Sequence, residues 1–328
     1  MNILILGAAG MVGRKLTGRL VRDGRLGSRE IKQITLQDVV TPAPPDGVAI
    51  PVDRVTGDFV GANAAAALIA ERPDVIFHLA AIVSGEAEAD FKKGYRINLD
   101  GTRFLLEAIR AVGGGYRPRL VFTSSIAVFG APFPSLIGDE FFNTPLTSYG
   151  TQKAICELLI ADYTRKGFLD GVGIRLPTIC VRPGTPNKAA SGFFSNIIRE
   201  PLSGQEAILP VSDDVRHWHA SPRSAVDFLV RAATIDTETL GARRNLSMPG
   251  LSATVGEQIA ALTKVAGPKV AGRIRRETDP AIVSIVDGWP RNFATERATG
   301  LGFVTAEKTF EDIIRIHIED ELGGTFVA

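Results

Sequence analysis

Tyr149 and Lys153 stand four residues apart in Tyr149-Gly150-Thr151-Gln152-Lys153, and an apolar run upstream ends in Thr123-Ser124-Ser125. On a helix, residues four apart share a face. An ammonium beside a phenol favours the phenolate and lowers its pKa, so the tyrosine can act as a base near neutral pH. A serine hydroxyl at a neighbouring strand end can hydrogen-bond the reacting oxygen and orient it. An ordinary exposed helix shows the same Tyr/Lys spacing by chance, so the surrounding elements decide whether this chemistry is real.

The second candidate group is Gly7-Ala8-Ala9-Gly10-Met11-Val12-Gly13, which follows the apolar run 3–6 and opens a helical pattern. Glycine suits the tightest part of a βα turn, the place where backbone approaches a pyrophosphate, and the place where helix packs on strand. The free N–H groups at the helix start then face phosphate oxygens. A glycine-rich βα turn with no ligand has the same pattern. Asp38 lies at the end of the second strand, Ile34-Thr35-Leu36-Gln37-Asp38, where a carboxylate accepts hydrogen bonds from adenine-ribose hydroxyls. It would repel a 2′-phosphate, which favours NAD over NADP; Arg14, just past the last glycine, is a small argument the other way. Asp58, in Thr56-Gly57-Asp58, has two readings of equal weight, a contact to adenine or an N-cap of the next helix.

These groups need a scaffold, and the first half of the chain supplies one. Apolar runs at 3–6, 34–36, 75–79, 120–123 and 172–176 alternate with helical patterns near 12–22, 60–71, 95–112 and 149–167. Uninterrupted apolar strands separated by helices predict a parallel sheet covered on both faces, a Rossmann-like doubly wound α/β architecture. After about residue 180, Pro183, Pro186, Pro201, Pro210 and Pro222 break the chain, and helices are expected near 191–199, 222–235, 255–266 and 306–321. The expected division is a cofactor domain over 1–180, rejoined by about 222–248, and a smaller C-terminal substrate-binding cap over most of 181–328.

Composition sets outer limits. The chain has 328 residues, 45% hydrophobic and 22% charged, with a formal net charge of +1. That balance gives no reason to expect nucleic acid or a membrane surface as partner. Cys156 and Cys180 are the two cysteines, in unrelated contexts, which predicts neither disulfide framework nor metal site and suits a reducing cytoplasm. The run 3–6 has no basic segment before it and is too short for a signal peptide. No stretch reaches the roughly 18 apolar residues of a membrane span.

Six ordered motifs resemble those of the extended short-chain dehydrogenase/reductases, the NAD-dependent epimerase/dehydratase group: GAAGMVG at 7–13, HLAA at 78–81, NLDGT at 98–102, FTSSIAVFG at 122–130, YGTQK at 149–153 and IRLPTICVRPG at 174–184. The resemblance implies that Tyr149 is the general base. Lys153 then binds the nicotinamide ribose and lowers the tyrosine pKa, and Ser125, rather than Ser124, contacts the substrate hydroxyl. It also implies that Leu79, Ala80, Ala81 and Pro177 line the cofactor site and that Asn98 is structural or near the cofactor. His78 is expected to be a packing residue. A homodimer through the helices near 95–112 and 149–167 is a further implication.

Members of the group that handle nucleotide sugars typically carry Arg-Tyr-Phe-Asn at this strand end and an Arg-Asp-Phe-Ile-His-Val-Asp-Asp-like stretch in the cap. Here the first is Arg175-Leu176-Pro177-Thr178, and the second is Arg216-His217-Trp218-His219-Ala220-Ser221-Pro222-Arg223. Residues 176–201 instead resemble a narrower branch of the group that oxidises a four-carbon sugar acid, D-erythronate, at C2 to 2-oxo-tetronate. Asn187, Lys188, Ser191 and Arg216 are then the candidates for holding the substrate carboxylate. A nucleotide-sugar 4-epimerase or dehydratase is the first alternative. An NAD-sensing binding protein is the second, and the intact Ser125, Tyr149 and Lys153 argue against it.

Overall fold

The computed structural model describes residues 1–44, 47, 50–184 and 190–328. In chain order its principal elements begin with β1 (Asn2–Leu6), α1 (Met11–Asp23), β2 (Gln33–Asp38), β3 (Val52–Thr56) and α2 (Ala62–Ile69). Next come β4 (Val75–His78), α3 (Ser84–Ala89), a π-helical turn (Tyr95–Asp100) running into α4 (Gly101–Val112), β5 (Arg119–Ser125), α5 (Ser148–Arg165) and β6 (Asp170–Leu176). The remainder holds β7 (Thr178–Ile179), α6 (Gly192–Leu202), β8 (Arg216–Ala220), α7 (Pro222–Thr234), β9 (Asn245–Ser247), β10 (Leu251–Thr254), α8 (Val255–Ala266) and α9 (Phe310–Glu321).

Contacts divide the chain into two compact units. The first comprises Met1–Val128, Thr147–Leu176 and Val226–Ser247. Seven of its strands form one parallel sheet in the order β9-β6-β5-β4-β1-β2-β3. Ile3, Leu4, Ile5 and Leu6 are all buried, because helices cover both faces and a parallel strand has no wet side. Leu4, Leu6, Ile76, Leu120 and Phe122 pack with Ile69, Leu105, Ile109, Cys156 and Ile160 of α2, α4 and α5. Burial of each such side chain contributes about 1.5–3 kcal/mol. Helix α5 comes close to β6 because Gly171 has no side chain: a Cβ there would lie 2.4 Å from Ile160 Cγ2.

The second unit comprises Phe129–Leu146, Pro177–Ala225 and Met248–Ala328. Its three-stranded sheet has β8 at the centre, antiparallel to β10 and parallel to β7. Phe193, Phe194, Ile197, Leu262, Ile313 and Ile314 form the core between α6, α8 and α9.

Two features depart from the periodicity reading. Residues 129–146, placed with the cofactor domain by sequence order, belong to the second unit: Phe129 lies 5.7 Å from the Phe293 ring, and Ile137 N–H donates to Asn292 O. Their prolines and lack of period hide that long-range partnership. The helix expected over 95–112 starts with a π turn, an insertion that apolar spacing does not reveal.

Three buried histidines make stability depend on acid. Burial pushes His78 and His217 down to about 3 and His219 well below its ordinary value, so the folded chain refuses protons that the unfolded chain accepts below about 6.5. Stability therefore falls as pH drops from 6.5 toward 3, by up to about 2 kcal/mol per histidine at about pH 5. The thermal midpoint should be clearly lower at about pH 5 than at about pH 7. Equal midpoints would refute the neutral, buried histidines.

Candidate functional site

Helix α5 carries the proposed chemistry, and its start is well defined. Thr147 Oγ1 accepts from Gly150 N–H, and the carboxylate of Glu88 accepts from Ser148 N–H at 2.6 Å. A carboxylate at a helix N-terminus satisfies orphan amides and complements the helix dipole. The first turn holding Tyr149 is thereby tied to the segment that follows β4.

One turn on, Lys153 is buried, with its Nζ donating to Thr123 O at 2.7 Å. The ammonium lies 4.6 Å from the Phe122 ring centroid and 5.7 Å from that of Tyr149. Burial pulls its pKa down to about 8, against the opposing influence of Cys156 and Glu157. The two serines at the end of β5 separate by strand alternation. Ser124 is buried and donates to Glu157 Oε1 at 2.5 Å, whereas half-buried Ser125 accepts from Ala127 N–H at 3.1 Å. The structure thus brings Tyr149 and Lys153 together on one helical face, with Ser125 at the end of the strand whose Thr123 carbonyl holds the lysine.

His78 is a packing residue in this geometry. The Thr102 hydroxyl donates to Asn98 O, so His78 Nε2 must be the donor in its 2.9 Å bond to Thr102 Oγ1. Asn98 lies in the π turn, where its Oδ1 accepts from Ile82 N–H and its Nδ2 donates to Gln152 Oε1 at 2.7 Å. It therefore fastens the turn containing Leu79, Ala80 and Ala81 to the helix carrying Tyr149.

At the glycine turn, two glycines are required by the protein itself. Gly7 has φ +85°, and a Cβ there would lie 2.7 Å from Ala80 N; a Cβ on Gly13 would lie 2.4 Å from Gly7 O. Gly10 is different, with a contact of 3.3 Å to Gly7 O that a small shift relieves. Helix α1 has no side-chain cap at Gly10 and no acidic residue in its first turn, which includes Met11, Val12 and Gly13. Asp38 Oδ2 accepts from Ala9 N–H and its Oδ1 from Val39 N–H, so it holds the turn from the end of β2. Asp58 forms an ion pair with Arg96 at 2.7 Å and accepts from Val60 N–H; Gly61, not Asp58, is the N-cap of α2. Arg14 is exposed.

Pro177, Ser191 and Arg216 belong to the second unit. Asn187 and Lys188 lie outside the described residues. Pro177 precedes β7. Ser191 Oγ accepts from Arg182 at 2.8 Å. Arg216 donates to Ser252 O and to Glu257, so its guanidinium ties β8 to β10 and α8. Sequence reasoning missed a hydrogen bond in this unit: Thr178 Oγ1 lies 2.7 Å from His217 Nε2. Pro290 O can only accept, so its 2.9 Å bond puts the ring proton on Nδ1. The Thr178 hydroxyl is then the donor to Nε2. Both residues stood out in the sequence as departures from the nucleotide-sugar pattern, but nothing in sequence order pairs them.

A family model described as the NAD dependent epimerase/dehydratase family matches residues 3–233. The chain belongs to the NAD-dependent epimerase/dehydratase family. Within this epimerase/dehydratase family, D-erythronate dehydrogenase of Cupriavidus necator is 46% identical over 324 residues, covering 98% of each chain. D-erythronate dehydrogenase of Haemophilus influenzae is 40% identical over 322 residues, 98% of this chain and 100% of its own. A solved structure from Agrobacterium tumefaciens, described as a nucleoside-diphosphate-sugar epimerase, matches with a TM-score of 0.96 and 65% identity, over 99% of this chain and 95% of that one. The cofactor is NAD, and the glycine turn fits it: Gly10 and the uncapped start of α1 leave room and amides for a pyrophosphate.

The three glycines should therefore separate by experiment. Gly13→Ala should cost stability, about 1–3 kcal/mol by crowding the Gly7 carbonyl. Gly10→Ala should unfold near the wild-type temperature yet bind NAD at least about tenfold more weakly by calorimetry. Wild-type NAD affinity in Gly10→Ala would overturn this assignment of the cradle.

Proposed function

We propose that this chain is an NAD-dependent dehydrogenase that oxidises the C2 hydroxyl of D-erythronate to 2-oxo-tetronate. Two relatives bearing the name D-erythronate dehydrogenase, at 46% and 40% identity over nearly the whole chain, support this substrate. The observation that carries the choice against a nucleotide sugar is the Thr178–His217 hydrogen bond. It joins the two departures from the nucleotide-sugar pattern into one local device, so they act as a coordinated replacement.

In the mechanism, the Tyr149 phenolate takes the proton of the C2 hydroxyl while Ser125 hydrogen-bonds the same oxygen. The electron pair left on oxygen forms the C2 carbonyl as hydride leaves C2. NAD supplies the hydride acceptor when bound. Lys153, fixed on the Thr123 carbonyl, contributes positive charge beside the phenolate and a donor to the nicotinamide ribose. Gly7, Gly10, Met11, Val12 and Gly13 hold the pyrophosphate, Asp38 the adenine ribose and Asp58 the adenine side, with Leu79, Ala80, Ala81, Asn98 and Pro177 along the remainder. Asn187, Lys188, Ser191 and Arg216 are proposed for the substrate carboxylate; Ser191 and Arg216 also have the protein partners described above. The substrate is a small molecule, and the protein works as a homodimer through α4 and α5, where Leu158 is 70% exposed. Both cysteines are free and buried, in keeping with a reducing cytoplasm. No helix among the described residues is long and apolar enough to cross a membrane.

The second reading, a nucleotide-sugar 4-epimerase or dehydratase, is favoured by the description of the Agrobacterium structure. Incubation with NAD and a panel of four- and five-carbon aldonates, uronates and UDP-sugars separates the two. NADH should accumulate with D-erythronate. Silence on the acids together with conversion of a UDP-sugar would reverse the assignment. Tyr149→Phe should lower kcat by about two to four orders of magnitude with NAD binding retained. Near-normal turnover in that variant would remove Tyr149 as the base.

A further inference from the structure

Beneath the Tyr149/Lys153 pair is a buried charge cluster that the mechanism above does not use. Glu157 follows Lys153 by one turn on the same face of α5 and is 1% exposed. Its Oε1 accepts from Ser124 Oγ at 2.5 Å and from Arg175 Nε at 2.9 Å, and its Oε2 accepts from Arg175 at 2.7 Å. Ser124 and Arg175 are register partners across β5 and β6, so two strands and one helix converge on a single carboxylate.

Such a pair is a poor source of stability. Desolvating both ions costs about as much as their attraction returns, and apolar replacements of similar volume are often neutral or stabilising. The arrangement calls for another role, and the neighbouring ammonium supplies one. Lys153 is buried with a neutral carbonyl as its hydrogen-bond partner. Burial favours its uncharged form, and Glu157 opposes that. The other groups facing it are Tyr149 and the Cys156 thiol on α5, neutral His78 on β4, and the uncharged Thr123 and Ser124 on β5; Arg175 on β6 is engaged with Glu157.

We propose that Glu157, clamped by Arg175 and Ser124, is a positioning residue that keeps the Lys153 ammonium charged and directed at the Thr123 carbonyl, and so sets the pH at which Tyr149 becomes a base. This deepens the dehydrogenase reading and rests on its assignment of Tyr149. Arg175 and Ser124 fix the carboxylate in place. Neutralising Glu157 leaves Lys153 to lose its proton, and an uncharged amine no longer stabilises the phenolate.

The test reads Tyr149 ionisation directly, without substrate. The ultraviolet phenolate titration of each protein is recorded against the same chain carrying Tyr149→Phe. Tyr116 and Tyr163 do not interfere, since burial raises both, Tyr163 to about 12. In Glu157→Gln the Tyr149 midpoint should rise by about one pH unit or more. Because Glu157→Gln strands Arg175, the double variant Glu157→Gln/Arg175→Met, which removes both buried charges, is titrated in parallel and should show the same rise. The acid limb of kcat should move by the same amount on whichever substrate the wild type converts, D-erythronate or another. An unchanged Tyr149 midpoint in either folded variant overturns the proposal and reduces Glu157 to a structural tie. Failure of the wild type on D-erythronate would refute the substrate and leave this titration intact.

Discussion

A lysine ammonium in a dry interior is costly, and much of the first unit can be understood as the means of keeping one there. Lys153 donates to the carbonyl of Thr123 and lies over the face of Phe122, so it is held by a backbone dipole and a ring quadrupole. That requires α5 to press closely on the sheet, which Gly171 permits by leaving space for Ile160. It also requires the end of β5 to sit at a fixed height, which the register between β5 and β6 provides. Strand alternation then does the sorting, sending Ser124 inward to Glu157 and leaving Ser125 half-buried at the strand end.

The cofactor turn depends on the same close packing at a different place. Gly7 presses against Ala80, so the first turn of the sheet and the turn after β4 are one packed layer. Asn98 clamps that second turn to Gln152, one residue from the lysine. The phosphate cradle and the tyrosine helix are thus joined by short polar and backbone contacts, and displacement of either is transmitted to the other. Asp38 has a structural part as well, since its carboxylate is also the partner of the Ala9 amide.

In the second unit one hydrogen bond joins two residues that the sequence leaves far apart. Thr178 and His217 are distant in sequence, yet they meet through one hydrogen bond whose direction is dictated by the carbonyl of Pro290. A buried imidazole kept neutral can accept from a threonine hydroxyl, which leaves the threonine oxygen's remaining lone pairs as acceptors. Arg216, proposed for the substrate carboxylate, also braces β8 against β10 and α8.

The sequence alone determined those features that depend on local spacing: the strand-turn-helix around Gly7 to Gly13, Asp38 at a strand end, Tyr149 and Lys153 on one helical face, and the apolar runs that require a covered parallel sheet. Each follows from short-range periodicity or from the steric demands of glycine, which neighbouring residues express. Tertiary structure decided which contacts form between distant residues. It joined Ser124 and Arg175 to Glu157, paired Thr178 with His217, moved 129–146 into the second unit, and placed Asn98 in a π turn. None of these has a local signature, because the partner of a buried polar group is selected by packing and by the need to satisfy it, and that partner can lie anywhere in the chain.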